Sequence, residues 1–139
     1  MNMDMEMDDM ETYDMEPIIN LTQHPATEEQ IQAGVVDLSE EKRKYLQMVL
    51  TFQDIPTESE INWRADQIVS LLEGEEGYHC QVMIGGALWL MGPLTRKLKA
   101  ERYIPLFSFS MRESVEEELP DGSVKKTSVF KHQGFIPAL

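Results

Sequence analysis

The sequence predicts an α/β domain with a mostly parallel sheet, helices on both faces and a β-hairpin at its C-terminal end. Three observations predict it. From Pro17 onward, apolar runs of strand length alternate with segments of helical period. Two of these runs, Ile18-Ile19-Asn20-Leu21-Thr22 and Gln81-Val82-Met83-Ile84-Gly85-Gly86-Ala87, stop at small and polar residues and open into helix-like segments. Buried parallel strands end in this way where a sheet holds a ligand crevice. Finally, Pro120-Asp121-Gly122-Ser123 is a turn signal between two β-prone runs, Ser110 to Leu119 and Val124 to Ile136.

Taken in order, the first strand spans about Ile18 to Thr22. A short helix follows from Glu28 to about Gln32, opened by a Thr27-x-x-Gln30 capping box and ended by Gly34. Val35 to Leu38 fits a short strand or an extended connector. Ser39, with Glu40 and Glu41 behind it, reads as an N-cap with first-turn acids, so a second helix carries Tyr45 and Leu46. Met48 to Phe52 is β-like in composition, with helix and strand equally compatible. Thr57 and Glu60 repeat the capping box, and Ile61, Ala65, Ile68 and Leu72 then share one helical face, with Gly74 and Gly77 as the stop. The third clear strand is His79 to Ile84. Ala87 to Tyr103 reads as helical, with Pro93 making Leu88 to Gly92 either a preliminary turn or a kinked start. A strand beginning near Ile104 alternates through Leu106 to Ser110 until Arg112, and the hairpin follows. No internal repeat is visible. The order β-α-(β)-α-β-α-β-β predicts a Rossmann-like three-layer domain spanning residues 17–139.

A chain of 139 residues suits one domain with a normal core. A single cysteine, Cys80, rules out a disulfide framework and points to a cytoplasmic protein. No run approaches the roughly 18 to 20 apolar residues that span a bilayer, so no membrane partner is expected. The formal net charge of −13 argues against duplex DNA, whose binding draws on phosphate neutralisation by Lys and Arg. Much of that charge is local. Residues 1–16 carry seven acids and no base among alternating methionines, which reads as a disordered acidic tail, and the remainder holds 18 acids against 12 bases.

The candidate site lies at the two strand-to-helix turns. The amides of Gly85, Gly86 and Ala87 can form an anion site at a helix start, and Thr22 and Thr27 offer hydroxyl donors to a phosphate. His24 is the best proton-transfer candidate, because imidazole exchanges protons near neutral pH. Arg112, following Ser110 at the end of the fourth strand, suits bidentate phosphate contact, and Lys131 with His132 sits where a hairpin folds over a ligand edge. Each residue also has a plain structural reading: His24 as a polar loop residue, Thr27 as an N-cap, the glycines as a tight turn and Arg112 as a surface ion-pair partner of neighbouring glutamates. Walker A, Gly-x-Gly-x-x-Gly, Gly-x-Ser-x-Gly and His-Glu-x-x-His patterns are absent. His24, His79, His132 and Cys80 have no metal-ligand spacing, so neither metal nor cofactor is expected.

The segment Thr22-Gln23-His24-Pro25-Ala26-Thr27-Glu28-Glu29-Gln30, paired with the later Gly-Gly turn, resembles the minimal stand-alone members of the CRISPR-associated Rossmann-fold (CARF) proteins. Several of those open with a strand running into a Ser-His-x-x-Thr-x-x-Gln turn. Here Gln23 is inserted and Thr22 replaces the serine. The resemblance covers about Pro17 to Arg112, with residue-by-residue correspondence in the first turn. It implies a homodimer or higher homo-oligomer that binds a cyclic oligoadenylate messenger of antiviral defence. Members of that family cut the ring, hold it or relay its presence to an effector domain. A chain this short then acts on the messenger by sequestration or as a metal-independent ring nuclease, with Thr22, Gln23, His24 and Thr27 in the binding turn. The reading from another class is an adaptor or inhibitor that binds a protein through the acidic tail or the hairpin edge.

Overall fold

The computed structural model describes residues 16–75 and 81–139. Among the described residues nine elements follow one another: β1 (Ile18–Asn20), α1 (Glu28–Gln32), β2 (Val35–Asp37), α2 (Glu40–Leu50), α3 (Glu58–Ser70), β3 (Gln81–Met83), α4 (Leu88–Ala100), β4 (Ile104–Glu118) and β5 (Val124–Pro137). They form one five-stranded sheet in the order β2-β1-β3-β4-β5. The first four strands are parallel, and β5 returns antiparallel to β4. The predicted α/β, Rossmann-like architecture with its C-terminal hairpin is the one observed.

Strand alternation sorts the side chains into two cores. Ile19, Leu21, Val82 and Ile84 point to one face, where they meet Leu46 and Val49 of α2, Ala65 and Ile68 of α3, and Leu90, Leu94 and Leu98 of α4. Leu21, Val82, Leu90, Leu94 and Leu98 are fully buried. Each such side chain removed from water stabilises the fold by about 1.5–3 kcal/mol. The other face carries Ile18, Val35, Met83 and Leu106, packed with Ala26 and Phe135 beside α1. With β2 on one side of β1 and β3 on the other, right-handed connections require α1 and the later helices to lie on opposite faces.

The open alternatives resolve as follows. Val35–Asp37 is a true strand, pairing with β1 as an edge. Met48 to Leu50 belong to α2, because Val49 and Leu50 are buried on its inner face, and the chain turns extended only at Thr51. Leu88 to Gly92 is the start of a helix and not a separate turn: α4 opens there and runs through Pro93, with Leu90, Met91, Leu94 and Leu98 all buried. The proline forgoes one intrahelical hydrogen bond, a loss that this packed face outweighs. The predicted strand ends shorten to Asn20 and Met83, and the predicted fourth strand and the β-prone run Ser110 to Leu119 form one continuous strand, β4, that ends at Glu118. The acidic tail (all but its last residue), Gly77, His79 and Cys80 lie outside the described residues.

Caps hold the helices. Thr27 and Gln30 make both halves of the capping box. Thr57 accepts from the Glu60 amide at 3.1 Å, but the Glu60 carboxylate turns to Arg64 instead of reaching back. Two long cations clasp α2 to α3. Arg64 donates to the carbonyls of Met48, Val49 and Thr51 at the end of α2, at 3.3, 3.0 and 2.7 Å. Lys42 donates to Leu71 and Glu73 carbonyls past the end of α3, at 2.9 and 3.1 Å. Each places positive charge at a helix C-terminus, where exposed carbonyls favour it.

Candidate functional site

Strand order reverses between β1 and β3, and in open α/β sheets the crevice at such a point, at the carboxyl ends of the strands, is where ligands bind. The turn after β1 and the turn after β3 meet there. A Cβ built on Gly85 would lie 3.5 Å from the Thr22 methyl. Gly86 takes φ +147, a backbone conformation that disfavours other residues, and its chain passes the ends of Met91 and Leu50. Ala87 then opens α4 with no side-chain cap and no acid in the first turn. The helix therefore presents uncapped amides and its positive end at the carboxyl edge of β3.

The first turn is held from below by two residues that the sequence reading did not single out. Asn20 is 3 % exposed, yet it uses its full hydrogen-bonding capacity. Its Nδ2 donates to the His24 carbonyl at 2.9 Å and to Asp37 Oδ1 at 2.8 Å. Its Oδ1 accepts from the Thr22 amide at 2.8 Å and the Thr22 hydroxyl at 2.6 Å. Asp37, at the end of β2, also accepts from the Ala26 amide at 3.0 Å. A signal for Asn20 was present: a polar residue inside an otherwise apolar strand run. Asp37 carried none, because its role depends on β2 lying beside β1.

These bonds assign the turn residues different duties. The Thr22 hydroxyl proton is engaged by Asn20, so this residue shapes the turn. Thr27 accepts from the Gln30 amide at 3.2 Å through Oγ1, which leaves its hydroxyl proton available to a ligand. Gln23 and His24 are exposed and line a cleft of about 700 Å³ with Gln47, Thr51, Gln53, Asp54, Glu60 and Arg64. The Gln47 side-chain amide donates to the Gln23 carbonyl at 3.2 Å. Across the Gln53-Asp54 rim lies a more apolar shelf that includes Phe52, Ile55 and Trp89, with Trp89 edge-on to Phe52 at 5.4 Å.

The remaining candidates lie on the hairpin. Ser110 pairs with His132 just beyond a bulge, Arg112 stacks over the Phe130 ring at 5.3 Å, and Lys131 approaches Glu113 at 3.8 Å. All three are exposed. At the hairpin base, Ser108 Oγ lies 3.0 Å from His132 Nδ1, and Gln30 donates to the same Oγ at 3.3 Å. The Glu29 carboxylate accepts from the His132 amide at 3.0 Å, so α1 and the hairpin are joined. Thr27, Gln30, Ser108 and His132 thus follow one another along the α1 side of the carboxyl edge, while the cleft beside His24 runs along the α2 and α3 side.

No helix among the described residues is long and apolar enough to cross a membrane. Among curated proteins and solved structures, nothing matches the chain. One family model does match, over residues 16–136, and its description is "Uncharacterized protein MJ1673 family". This span takes in every described element up to the last residue of β5, and the chain therefore belongs to the MJ1673 family.

Proposed function

We propose that this protein binds and sequesters a cyclic oligonucleotide messenger of antiviral signalling, as a homodimer, in the crevice between the turns after β1 and β3. The observation that carries the reading is the contact of these two turns at Gly85 and Thr22, beside the uncapped start of α4. A phosphate suits the α4 amides and the Thr27 hydroxyl, both open to a ligand. The cleft is a poor place for phosphate, since Asp54 and Glu60 line it and Arg64 is already engaged with carbonyls and Glu60. Its glutamines suit the edge of an adenine base, which a side-chain amide meets with a donor and an acceptor together. Trp89, half exposed at the α4 start, offers a stacking face.

Two histidines favour a second reading, a metal-independent ring nuclease. His24 borders the cleft, and His132 forms a hydrogen-bonded pair with Ser108. In that reaction a ribose 2′-oxygen gives up its proton and bonds to the adjacent phosphorus. The bond to the 5′-oxygen breaks, and that oxygen takes a proton, leaving a 2′,3′-cyclic phosphate and a 5′-hydroxyl.

One experiment separates the readings: pure protein is incubated with a panel of cyclic oligonucleotides, and bound and released nucleotides are chromatographed. Intact ring recovered after denaturation supports sequestration. Linear product that His24→Ala or His132→Ala abolishes supports the nuclease. The absence of both retained ring and linear product rejects both readings and leaves the adaptor reading, in which the acidic tail or the hairpin edge binds a protein.

A further inference from the structure

One face of α4 is left open to solvent. Leu88, Gly92, Arg96 and Lys99 follow one another at spacings of four, four and three, and Arg102 continues the row just past the helix end. All five are exposed. The packing on the core is made by the opposite side, through Leu90, Met91, Leu94 and Leu98.

The lower half of this row is a run of cations without partners. The side chains of Arg96, Lys99 and Arg102 make no ion pair with any described residue, whereas Lys97, turned toward α3, reaches Asp66 at 2.8 Å. Unpaired cations are scarce in a chain of 25 acids and 12 bases, and residues 88–100 hold no acid at all. Arg102 also stands where a side chain is strained. Its φ is +70, and the Tyr103 amide donates to the Leu98 carbonyl at 2.9 Å, the arrangement in which helices commonly end on glycine. Glycine would take that backbone freely but would bring no charge.

The register of the sheet identifies the acidic segment nearest to these cations. Ile18 of β1 and Ile104 of β4 both pair with Gln81, one on each side, so they lie two strand spacings, or about 10 Å, apart. Residues 1–15 join the fold at Glu16, two positions before Ile18, and Arg102 lies two positions before Ile104. The acidic tail is therefore rooted beside the basic end of α4. Its reach suffices, since fifteen residues span up to about 50 Å and the helix from Arg102 back to Leu88 about 20 Å. Its composition also matches the row in order. Asp8, Asp9, Glu11 and Asp14 stand nearer the root, with no base in residues 1–16. Met1, Met3, Met5 and Met7 stand farther out, as does Leu88, which is 87 % exposed at the far end of the row. Methionine adapts readily to an irregular apolar surface.

We propose that the acidic tail docks on α4 of its own chain, with Asp8, Asp9, Glu11 and Asp14 set against Arg96, Lys99 and Arg102, and Met5 and Met7 against Leu88. Opposite charge fixes the basic end, and the short connection through Glu16 favours contact within one chain. This contact stands apart from the ligand reading and forms without nucleotide.

The test is amide and methyl NMR of the full chain at low salt, with no nucleotide present. Asp8→Asn with Asp9→Asn, Glu11→Gln and Asp14→Asn is expected to shift the amide signals of Arg96, Lys99 and Arg102 and to leave those of Ile19 and Val82 in place, which shows the core intact. Arg96→Gln with Lys99→Gln and Arg102→Gln is expected to shift the amides of residues 8–14, and Leu88→Asp the methyl signals of Met5 and Met7. In about 1 M salt, where charges are screened within about 3 Å, the α4 signals of the unaltered protein are expected to move to the positions of the neutralised tail variant. At tenfold dilution they are expected to stay where they were. Signals of α4 indifferent to the tail substitutions, or tail signals indifferent to either α4 variant, overturn the proposal and leave the row to a separate acidic partner. Signals that drift on dilution toward those of the tail variant also overturn it, because the occupant is then the tail of a second copy.

Discussion

Asn20 and Asp37 meet at 2.8 Å where β1 and β2 end side by side. Through this contact the His24 carbonyl, the Thr22 amide and the Ala26 amide all hang from two side chains at the carboxyl edge. The turn that carries the candidate site is therefore preorganised before any ligand arrives, which lowers the ordering cost of binding.

Asn20→Ala strands a buried network, and its expected cost is about 1–3 kcal/mol, the range for leaving buried polar groups unpaired. Asn20→Asp is expected to cost more at neutral pH. It keeps the shape but removes the donor and sets a second carboxylate against Asp37. Urea unfolding at neutral pH checks both, and a wild-type midpoint for Asn20→Ala would contradict the role given to the network.

The two glycines after β3 are expected to separate binding from stability. Gly85→Ala places a methyl at ordinary contact distance from Thr22, so thermal unfolding is expected to be nearly unchanged while the approach to the crevice narrows. Gly86→Ala forces a side chain into φ +147 and is expected to lose about 1–3 kcal/mol of stability. Thermal melts of the two variants side by side give the comparison.

Arg64 closes the end of α2 with three carbonyl contacts while its own carboxylate partner, Glu60, holds the guanidinium in place. Arg64→Met is expected to cost about 2 kcal/mol, the scale of a lost charged hydrogen-bond set. Arg64→Lys is expected to recover only part of this, because a point charge cannot fork across several acceptors. Denaturant midpoints of the two variants decide it.

At the hairpin tip, hydrogen bonds from the Ser123 hydroxyl and amide hold the Asp121 carboxyl below its usual range. A depressed folded pKa stabilises the turn above the ordinary carboxylate range and is lost as pH falls through the folded value. The Ser123 amide resonance is accordingly expected to hold its position at neutral pH and shift only in acid. Asp121→Asn, which keeps an acceptor oxygen, is expected to abolish that shift.

What was legible in the sequence was local. The Thr27–Gln30 box, the Ser39 and Thr57 caps and the Asp121-Gly122 turn each depend on residues within four positions, and each appears where its spacing puts it. What was hidden depends on distant partners. Arg64 looks like any surface arginine of a helix until the end of α2 lies against it. Ser108 and His132 become a pair only once β5 folds back on β4. The length of the hairpin was legible, since the β-prone runs Ser110 to Leu119 and Val124 to Ile136 match the observed strands to within a residue or two at their outer ends. Hidden was that the first of them continues the strand from Ile104 without a break, with cross-strand partners such as Glu116 and Lys126, 3.7 Å apart, along one ladder. The β1–β3 crevice was legible as two separate turns, and strand order brought them together.

The most direct measurement is a calorimetric titration of cyclic oligoadenylates into the unaltered protein and into Gly85→Ala. Saturable binding to the former, weakened about tenfold or more in the latter with an unchanged melting temperature, is the result predicted for a ligand seated between Thr22 and Gly85. Absence of binding to the unaltered protein, or equal affinity of both proteins, would contradict it.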